Sequence, residues 1–236
     1  MFAREIYSND SIKISEEKKV FTIFFKHPNQ LIINSLIKTH IIQGAVSSED
    51  YKILKFKANK VETFIQYQQE QKKQNGTTKL KISAAALMVN TLANQLNYLL
   101  AITSHTVLGY NPKDILVIND NKFVFIGTES MSEIVGTNAL ISYPFIETDF
   151  FVSPELLKVK ELPSYIHYKT AYFSLGCLIV YALLGDDDFY TEYLKNKEVN
   201  KIIEYLKDHT IKDTKLYCLI SRCLVEDPEK RSILYL

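Results

Sequence analysis

Apolar and polar positions alternate near the start of the chain, as they do in strands with one buried face. The pattern predicts strands at 11–14, 19–26 and 51–56, and a helix over about 30–40. Pro28 ends the second strand because proline has no N–H to donate to a ladder. Asn29 is placed to cap the helix that follows. These elements predict a small α+β unit over residues 1–58.

The apolar spacing becomes helical after residue 58. Val89, Leu92 and Leu96 belong to a series repeating at three and four residues, which predicts a long helix with a wide buried stripe. We expect helices at about 59–75, 80–103, 170–184, 191–208 and 212–225, with Gly76 ending the first and Gly185 the third. A strand hairpin is expected at 114–118 and 122–126, followed by a long polar segment at 127–153. The chain is therefore expected to be α+β, with a mainly helical unit at 59–236.

The composition is that of an ordinary globular protein, with 47% apolar and 23% charged residues. A net charge of +1 gives no global field that would attract nucleic acid or an anionic membrane. The basic stretch at 70–81 is short and has no interleaved aromatic residues, so we expect no nucleic-acid partner. No apolar run is long enough to span a membrane, and no signal core precedes the first unit. We expect an intracellular protein, cytoplasmic or nuclear.

Three cysteines, Cys177, Cys218 and Cys223, lie in apolar helical sequence without a Cys-x-x-Cys pair. An odd and scattered set is typical of buried, inert thiols in a reducing compartment. The five histidines likewise show no metal-ligand spacing. We therefore expect no metal and no other cofactor.

Four motifs, in order, resemble those of the protein kinase family. A long helix leads into "HTVLGYNPKDILVIND", like the kinase catalytic loop and the hairpin after it. "TDFFVSPELL" is similar to the end of an activation segment, with Ser153-Pro154-Glu155 in place of Ala-Pro-Glu. "YFSLGCLIVYALLG" resembles the central helix with its Ser-Leu-Gly, which includes Gly176, and "LISRCLVEDPEKR" resembles the late Asp-Pro-x-x-Arg helix.

The resemblance implies a two-lobed fold, with a small β-rich lobe at 1–58 and a helical lobe at 59–236 that is shortened after Arg231. It also implies that Glu155 and Arg231 form a partly buried, bidentate ion pair with a structural role. The alternative is that these are two unrelated surface charges.

The groups that hold phosphates in the family are missing. A glycine-rich loop lets backbone N–H groups approach phosphates, but the first glycine here is Gly44, beyond the strands where such a loop would lie. Lys26 is the one candidate for the strand lysine that contacts phosphate. The predicted helix at 30–40 contains no acid to align it, which favours a solvated lysine at a strand end.

The groups that carry out phosphoryl transfer are missing as well. Aligned on Pro112, the catalytic aspartate position is Gly109 and the metal-binding asparagine position is Asp114. Asp114 is a weak candidate for divalent metal, although we favour a role in capping the loop. The metal-binding aspartate of Asp-Phe-Gly falls at Gly127, and Glu129 could replace it only with a shift of register.

The family aspartate that ties down the catalytic loop falls at Ala171, so we expect that tether to be dispensable here. Tyr143, Thr148 and Ser153 are candidates for phosphorylation by another enzyme. The acidic run 186–188 is more typical of a solvated turn than of a cation site.

We therefore interpret the chain as a pseudokinase, a catalytically inactive kinase-like domain that binds an unidentified protein as a scaffold or regulatory subunit of a larger assembly. One alternative is an atypical but active phosphotransferase using Lys26 with Asp114 and Glu129. A second is an unrelated helical interaction domain whose kinase motifs are coincidental.

Overall fold

The computed structural model describes residues 3–127, 129–144, 151–185 and 199–234. It is a mixed α+β structure. The strands are β1 (Arg4–Ser8), β2 (Ile12–Glu17), β3 (Val20–Phe25), β4 (Val46–Ser47), β5 (Ile53–Lys57), β6 (Val61–Thr63), β7 (His105–Val107), β8 (Ile115–Ile118), β9 (Lys122–Phe125), β10 (Met131–Val135), β11 (Asn138–Ile141) and β12 (Ser164–His167). The helices are α1 (Gln30–Lys38), α2 (Phe64–Asn75), α3 (Ile82–Thr103), α4 (Pro154–Leu157), α5 (Thr170–Leu184), α6 (Val199–Asp208) and α7 (Lys215–Cys223).

The first sheet has five antiparallel strands in the order β1-β2-β3-β5-β4. Ile14 pairs with Ile23, and Ile23 pairs with Leu54, so one buried row crosses the three central strands. This row is the alternation that predicted β2, β3 and β5. The sequence pattern missed β1, because its residues are exposed or only half buried and show no apolar face.

Helix α1 shares a hydrophobic core with this sheet and contacts α3 of the helical part. The predicted cap is confirmed, since the Asn29 side-chain oxygen accepts from the Ile32 N–H at 3.2 Å. Gln95 of α3 donates to the Ser35 hydroxyl at 3.0 Å and exchanges two hydrogen bonds with the backbone of Phe125. A fully buried polar bridge thus links α1, α3 and β9.

The helix predicted from residue 59 begins later. Val61–Thr63 instead form β6, which pairs with β8, and Thr63 starts α2 with a capping box that includes Gln66. Asn119 accepts from the backbone N–H groups of Asn59 and Lys60 at 2.8 and 3.2 Å, so the segment joining the two parts of the chain is fastened to the β8–β9 turn. The predicted end of α2 at Gly76 is confirmed by its left-handed φ of 73°.

Helices α3 and α5 form the centre of the helical part, as their apolar spacing predicted. Helix α5 is buried along almost its whole length and packs against α7. Gly176 makes this approach possible, because a Cβ there would lie 2.9 Å from the Cys223 Cβ and 3.1 Å from the Leu224 side chain. Of the helix predicted at 191–208, the structure describes only the part from residue 199.

A second sheet occupies part of the segment expected to be polar and without strands. Its order is β12-β11-β10-β7, with a two-residue turn at Gly136, whose φ is +66°. The inner face adds Ala139, Ile141 and Ile166 to a small apolar cluster that also contains Leu108 and Leu156. Each of these short strands contributes at most two buried apolar residues, which is too few to show as an apolar pattern in the sequence.

Most of the remaining apolar side chains belong to one continuous core that includes residues of the first sheet and of α3, α5 and α7. Within the described ranges, no helix is both long and apolar enough to cross a bilayer.

Candidate functional site

Glu155 and Arg231 form the bidentate pair that the resemblance implied. The two Arg231 terminal nitrogens donate to the two Glu155 carboxylate oxygens at 2.5 and 2.8 Å. The Arg231 side chain is fully buried, whereas that of Glu155 is 18% exposed. The remaining Arg231 N–H groups donate to the backbone carbonyls of Val225, Glu226 and Lys169. A buried guanidinium whose donors are all used holds the 3-10 turn Pro228–Lys230 against α4 and the start of α5.

The residues around Glu155 explain why the Ser-Pro-Glu sequence begins a helix. Pro154 occupies the first helical position of α4, where its missing N–H costs nothing. Ser153 is fully buried and shares a hydrogen bond with the Thr170 hydroxyl at 2.7 Å. Thr170 in turn donates to the Leu108 carbonyl at 3.3 Å. This chain of contacts connects the end of the activation-segment motif to the loop that carries Gly109.

The loop at 107–114 is tied to α5, contrary to our expectation that a tether would be dispensable. Ala171 cannot hold it, but the Ser174 hydroxyl one turn later accepts from the Tyr110 N–H at 2.7 Å. Tyr110 is buried, and its ring meets that of Phe125 edge-on at 5.2 Å between centroids. Burial raises the pKa of the Tyr110 hydroxyl far above its usual range, so this side chain is no acid or base near neutral pH. Gly109 is buried beside it and offers no side chain.

The sequence favoured Asp114 as a cap of this loop, and the structure shows that Asn111 caps the 3-10 turn Pro112–Asp114. The Asn111 side chain accepts from the Lys113 N–H at 3.0 Å. The Asp114 side chain lies beside Gly127. A Cβ at Gly127 would be 2.6 Å from the Phe125 ring and 2.9 Å from Asp114 Oδ2. The space that a side chain at residue 127 would need is therefore occupied by neighbouring side chains.

The turn between β1 and β2, where a phosphate cradle would lie, uses its own donors. Asn9 Oδ1 accepts from the backbone N–H groups of Ser11 and Ile12 at 2.9 and 2.7 Å. These N–H groups are consequently unavailable to a phosphate. The sequence showed the missing glycines but gave no indication of this Asn turn.

Lys26 lies just after β3, is exposed, and makes no ion pair with the described residues. The last residue of β3 is Phe25, whose side chain is buried in the core. Helix α1 has no acid in its first turn. The structure thus agrees with a solvated lysine at a strand end.

Lys26 and Glu129 line one cleft of about 740 Å³ between the first sheet, the start of α1 and strands β7 and β10. Ser11 bridges the two sides, with its hydroxyl donating to Glu129 at 3.4 Å and its carbonyl accepting from the Lys26 N–H at 2.9 Å. Asp114 is not one of the lining residues. The three groups that an atypical phosphotransferase would need are therefore not brought together in this cleft.

The other candidate positions divide between the core, the surface and undescribed segments. Tyr143 is 82% exposed, whereas Ser153 is buried and closed to a modifying enzyme. Thr148 and the acidic run 186–188 lie outside the described residues. Cys177 and Cys223 are buried as expected, and burial raises the pKa of the Cys223 thiol to about 12. Cys218 is exposed, because it faces outward from α7 rather than into the core.

In the part of the chain that the structure describes, no three His, Cys, Asp or Glu side chains are arranged to hold a metal ion. Comparison with protein-family models and with curated proteins found no match to this chain. The likeness to kinases therefore depends on the motifs and on the contacts described above.

Proposed function

We propose that this chain has a two-lobed, kinase-like fold and acts as a catalytically inactive domain that binds another protein. The observation that carries the proposal is that the structural ion pair Glu155–Arg231 is present, whereas residue 127 has no metal-binding side chain. The ion pair braces the helical lobe, and every Arg231 donor is used. At Gly127 the place of the principal metal ligand is closed by Phe125 and Asp114. Phosphoryl transfer requires the protein to bind the phosphates and Mg²⁺ in fixed positions, and the described residues support neither binding site.

A role in protein binding is supported by the second sheet. Its outer face exposes Val135 and Tyr165, each with more than half of its surface accessible, and β12 lies at the sheet edge. Exposed apolar side chains beside an open strand edge are typical of surfaces that contact another chain.

The active alternative is less well supported, because Lys26 and Glu129 line a cleft that excludes Asp114. The unrelated-domain alternative is disfavoured by the Glu155–Arg231 pair, since unrelated packing has no reason to join two charges 76 residues apart.

A phosphotransfer assay with radiolabelled Mg-ATP and generic protein substrates tests the proposal. We expect no transfer above a buffer control, either by the wild type or by a Gly109→Asp variant. Transfer by the wild type above the buffer control would contradict it.

A further inference from the structure

The register of β11 with β12 shows which backbone groups of β12 point outward. The Tyr168 N–H donates to the Thr137 carbonyl at 3.0 Å. The next pair along, Asn138 with His167, is therefore one without mutual hydrogen bonds, because the two kinds of pair alternate in an antiparallel ladder. By the same alternation Tyr165 is such a position too. The N–H and C=O groups of His167 and Tyr165 consequently point away from β11.

These four outward groups have no partner among the described residues. Neither Tyr165 nor His167 makes a backbone hydrogen bond outside the β11 ladder within the described ranges. Helix α4 also packs on β12, but its Leu156 joins Ile166 in the small apolar cluster, so α4 contacts the inner face of the strand. The outer edge thus presents two donors and two acceptors, which is the arrangement that a further strand binds.

The side chains along this edge favour an extended segment with apolar residues. Tyr165 is 58% exposed on the outer face and stands opposite Leu140. His167 is half-buried, with its ring stacked on that of Tyr168 at 4.8 Å between centroids. Leu162, just before the strand, is also exposed. β-branched side chains pack well against aromatic ones across a strand pair, so we expect valine or isoleucine opposite Tyr165 and His167.

The charges beside the edge are mainly positive. Lys158 and Lys160 are exposed in the segment that leads into β12, and neither forms an ion pair with a described residue. Glu161 is the only acid of residues 158–163. Lys169 follows the strand, and its Nζ donates to the Glu229 carbonyl at 2.8 Å. An acidic segment would therefore find its free cations beside the start of β12.

A second copy of the chain fits the same edge less well. Two β12 strands related by a two-fold axis through Ile166 would pair Tyr165 of each with His167 of the other. The same pairing would bring the Lys160 end of one strand to the Lys169 end of the other, so that like charges meet. Charge thus favours an acidic partner over self-association.

We infer that the outer edge of β12 binds an extended acidic segment of a partner protein as an additional antiparallel strand. In this direction the C-terminal half of the segment lies beside Lys158 and Lys160, so its acids follow the apolar residues that face Tyr165 and His167. Antiparallel addition continues the second sheet, in which every described pair of strands is antiparallel. The inference rests on the proposed protein-binding function and names the kind of partner.

Fluorescence anisotropy with the full chain tests the charge and the direction of the segment. The probe is fluorescein-labelled, C-terminally amidated Gly-Gly-Val-Thr-Val-Glu-Glu, and the controls are Glu-Glu-Val-Thr-Val-Gly-Gly and Gly-Gly-Val-Thr-Val-Lys-Lys. We expect the probe to bind with saturation and about tenfold more tightly than either control, because each control moves or reverses the charges that meet the lysines. No saturable binding at submillimolar chain, or binding of a control as tight as that of the probe, would overturn the inference.

Backbone methylation of the probe tests strand addition itself. N-methylation of the second valine removes the N–H that would donate to the Tyr165 carbonyl, and it should weaken binding by about tenfold. N-methylation of the threonine is the matched control, since its N–H would point away from β12, and it should have little effect. Equal effects of the two methyl groups would contradict strand pairing.

A pair of variants at Tyr165 tests the same bond from the side of the chain. Tyr165→Pro removes an outward N–H and leaves the β11 ladder intact, because edge strands accept proline where the N–H faces solvent. Tyr165→Val keeps that N–H and loses the same ring. We expect the proline variant to bind the probe about tenfold more weakly than the valine variant. Equal affinities of two cooperatively melting variants would contradict the assignment.

Charge variants test the edge without altering its backbone. Lys158→Gln combined with Lys160→Gln should weaken the probe and leave the lysine control peptide unaffected or more tightly bound. Lys57→Gln combined with Lys73→Gln, at exposed positions of β5 and α2, is the matched control and should alter neither. Equal loss of probe affinity in the two double variants would show that net charge alone attracts the peptide.

Hydrogen exchange of the free chain tests for other occupants of the edge. The Tyr165 and His167 N–H groups should exchange rapidly in the free chain and slowly when the probe is bound. Slow exchange in a chain that sediments as a monomer would mean that the chain covers its own edge. Slow exchange in a chain that sediments as a dimer would mean that a second copy does so, and either result would overturn the inference.

The same samples separate this inference from the proposed function. The probe contains a threonine, so incubation with radiolabelled Mg-ATP reports any phosphate transfer. Transfer to the probe would contradict the proposed inactive function, whereas absence of both transfer and binding would overturn only the strand-addition inference.

Discussion

Arg231 donates to both carboxylate oxygens of Glu155 through its two terminal nitrogens. The central guanidinium carbon of Arg231 lies over the Phe173 ring, 5.0 Å from the ring centre. Three backbone carbonyls take the remaining donors. Lysine could not reproduce this arrangement, because it lacks the planar fork with five donors. The pair therefore fixes the positions of α4, α5 and the 3-10 turn Pro228–Lys230 relative to one another.

Glu155→Gln should destabilise the protein by about 3–5 kcal/mol, because it leaves the buried Arg231 charge uncompensated. Urea unfolding followed by circular dichroism measures this change. Glu161→Gln, at an exposed position, should shift the unfolding free energy by less than about 0.5 kcal/mol. Equal, small effects of the two changes would show that the brace is unimportant.

Ser174→Ala should cost about 1–3 kcal/mol, because it leaves the buried Tyr110 N–H without an acceptor. Hydrogen exchange should also show faster exchange of that N–H. Ser142→Ala, at an exposed serine, serves as the control. Unchanged protection of the Tyr110 N–H would mean that α5 does not tether the loop.

Gly127→Asp should destabilise the protein by several kcal/mol rather than create a metal site. A Cβ there overlaps the Phe125 ring, and a carboxylate would also face that of Asp114. Gly127→Ala separates steric overlap from charge repulsion, since alanine adds the Cβ that overlaps the Phe125 ring but no carboxylate. Isothermal titration with Mg²⁺ should detect no binding to either variant. A stable Gly127→Asp protein that binds Mg²⁺ would contradict the closed position.

Glu62 should make stability fall as pH rises. It is buried with Lys60 Nζ 2.6 Å from Oε1, and neither carboxylate oxygen has a well-directed hydrogen bond among the described residues. Burial raises its pKa above the ordinary value of 4.5 despite Lys60. The folded state therefore binds this proton more tightly than the unfolded state does. Its contribution is complete below the ordinary pKa and is lost as pH rises through the raised one.

Urea unfolding of the wild type and of Glu62→Gln between about pH 4.5 and 8 checks this sign. The unfolding free energy of the wild type minus that of the variant should decrease with rising pH. The matched change Glu17→Gln, at an exposed position, should give a flat difference. A difference that grows with pH would show that Lys60 outweighs burial.

Sequence motifs predicted the long-range brace because it joins two motifs whose order and spacing are visible in the chain. The apolar spacing and Asn29 predicted α1 and its cap, because both signals lie within the few residues that form the helix. The motifs did not predict that Ser174 would replace the missing tether at Ala171, because that substitution is a matter of packing one helical turn away. Ser174 was already part of the Ser-Leu-Gly motif, so its hydroxyl was the signal available.

The second sheet and β6 were missed for a related reason. β6 pairs with β8, β10 with β7 and β11 with β12, partners that lie far along the chain, and the apolar content of these strands is small, with Ala139 and Ile141 the main inward residues of β11. Short strands of this kind are specified by what they pack against rather than by local pattern. The cleft that Lys26 lines was equally hidden, since Glu129 comes to line the same cleft only after folding.

The most direct test of the central claim is a thermal-shift titration of the full chain with ATP and Mg²⁺. A ligand that binds the folded state raises its stability by RT ln(1 + [L]/Kd), so even weak nucleotide binding would appear at millimolar ATP. We predict no change in melting temperature with Mg-ATP beyond that caused by the same ionic strength of salt. A saturable rise that requires both ATP and Mg²⁺ would contradict the proposal that this frame no longer holds a nucleotide.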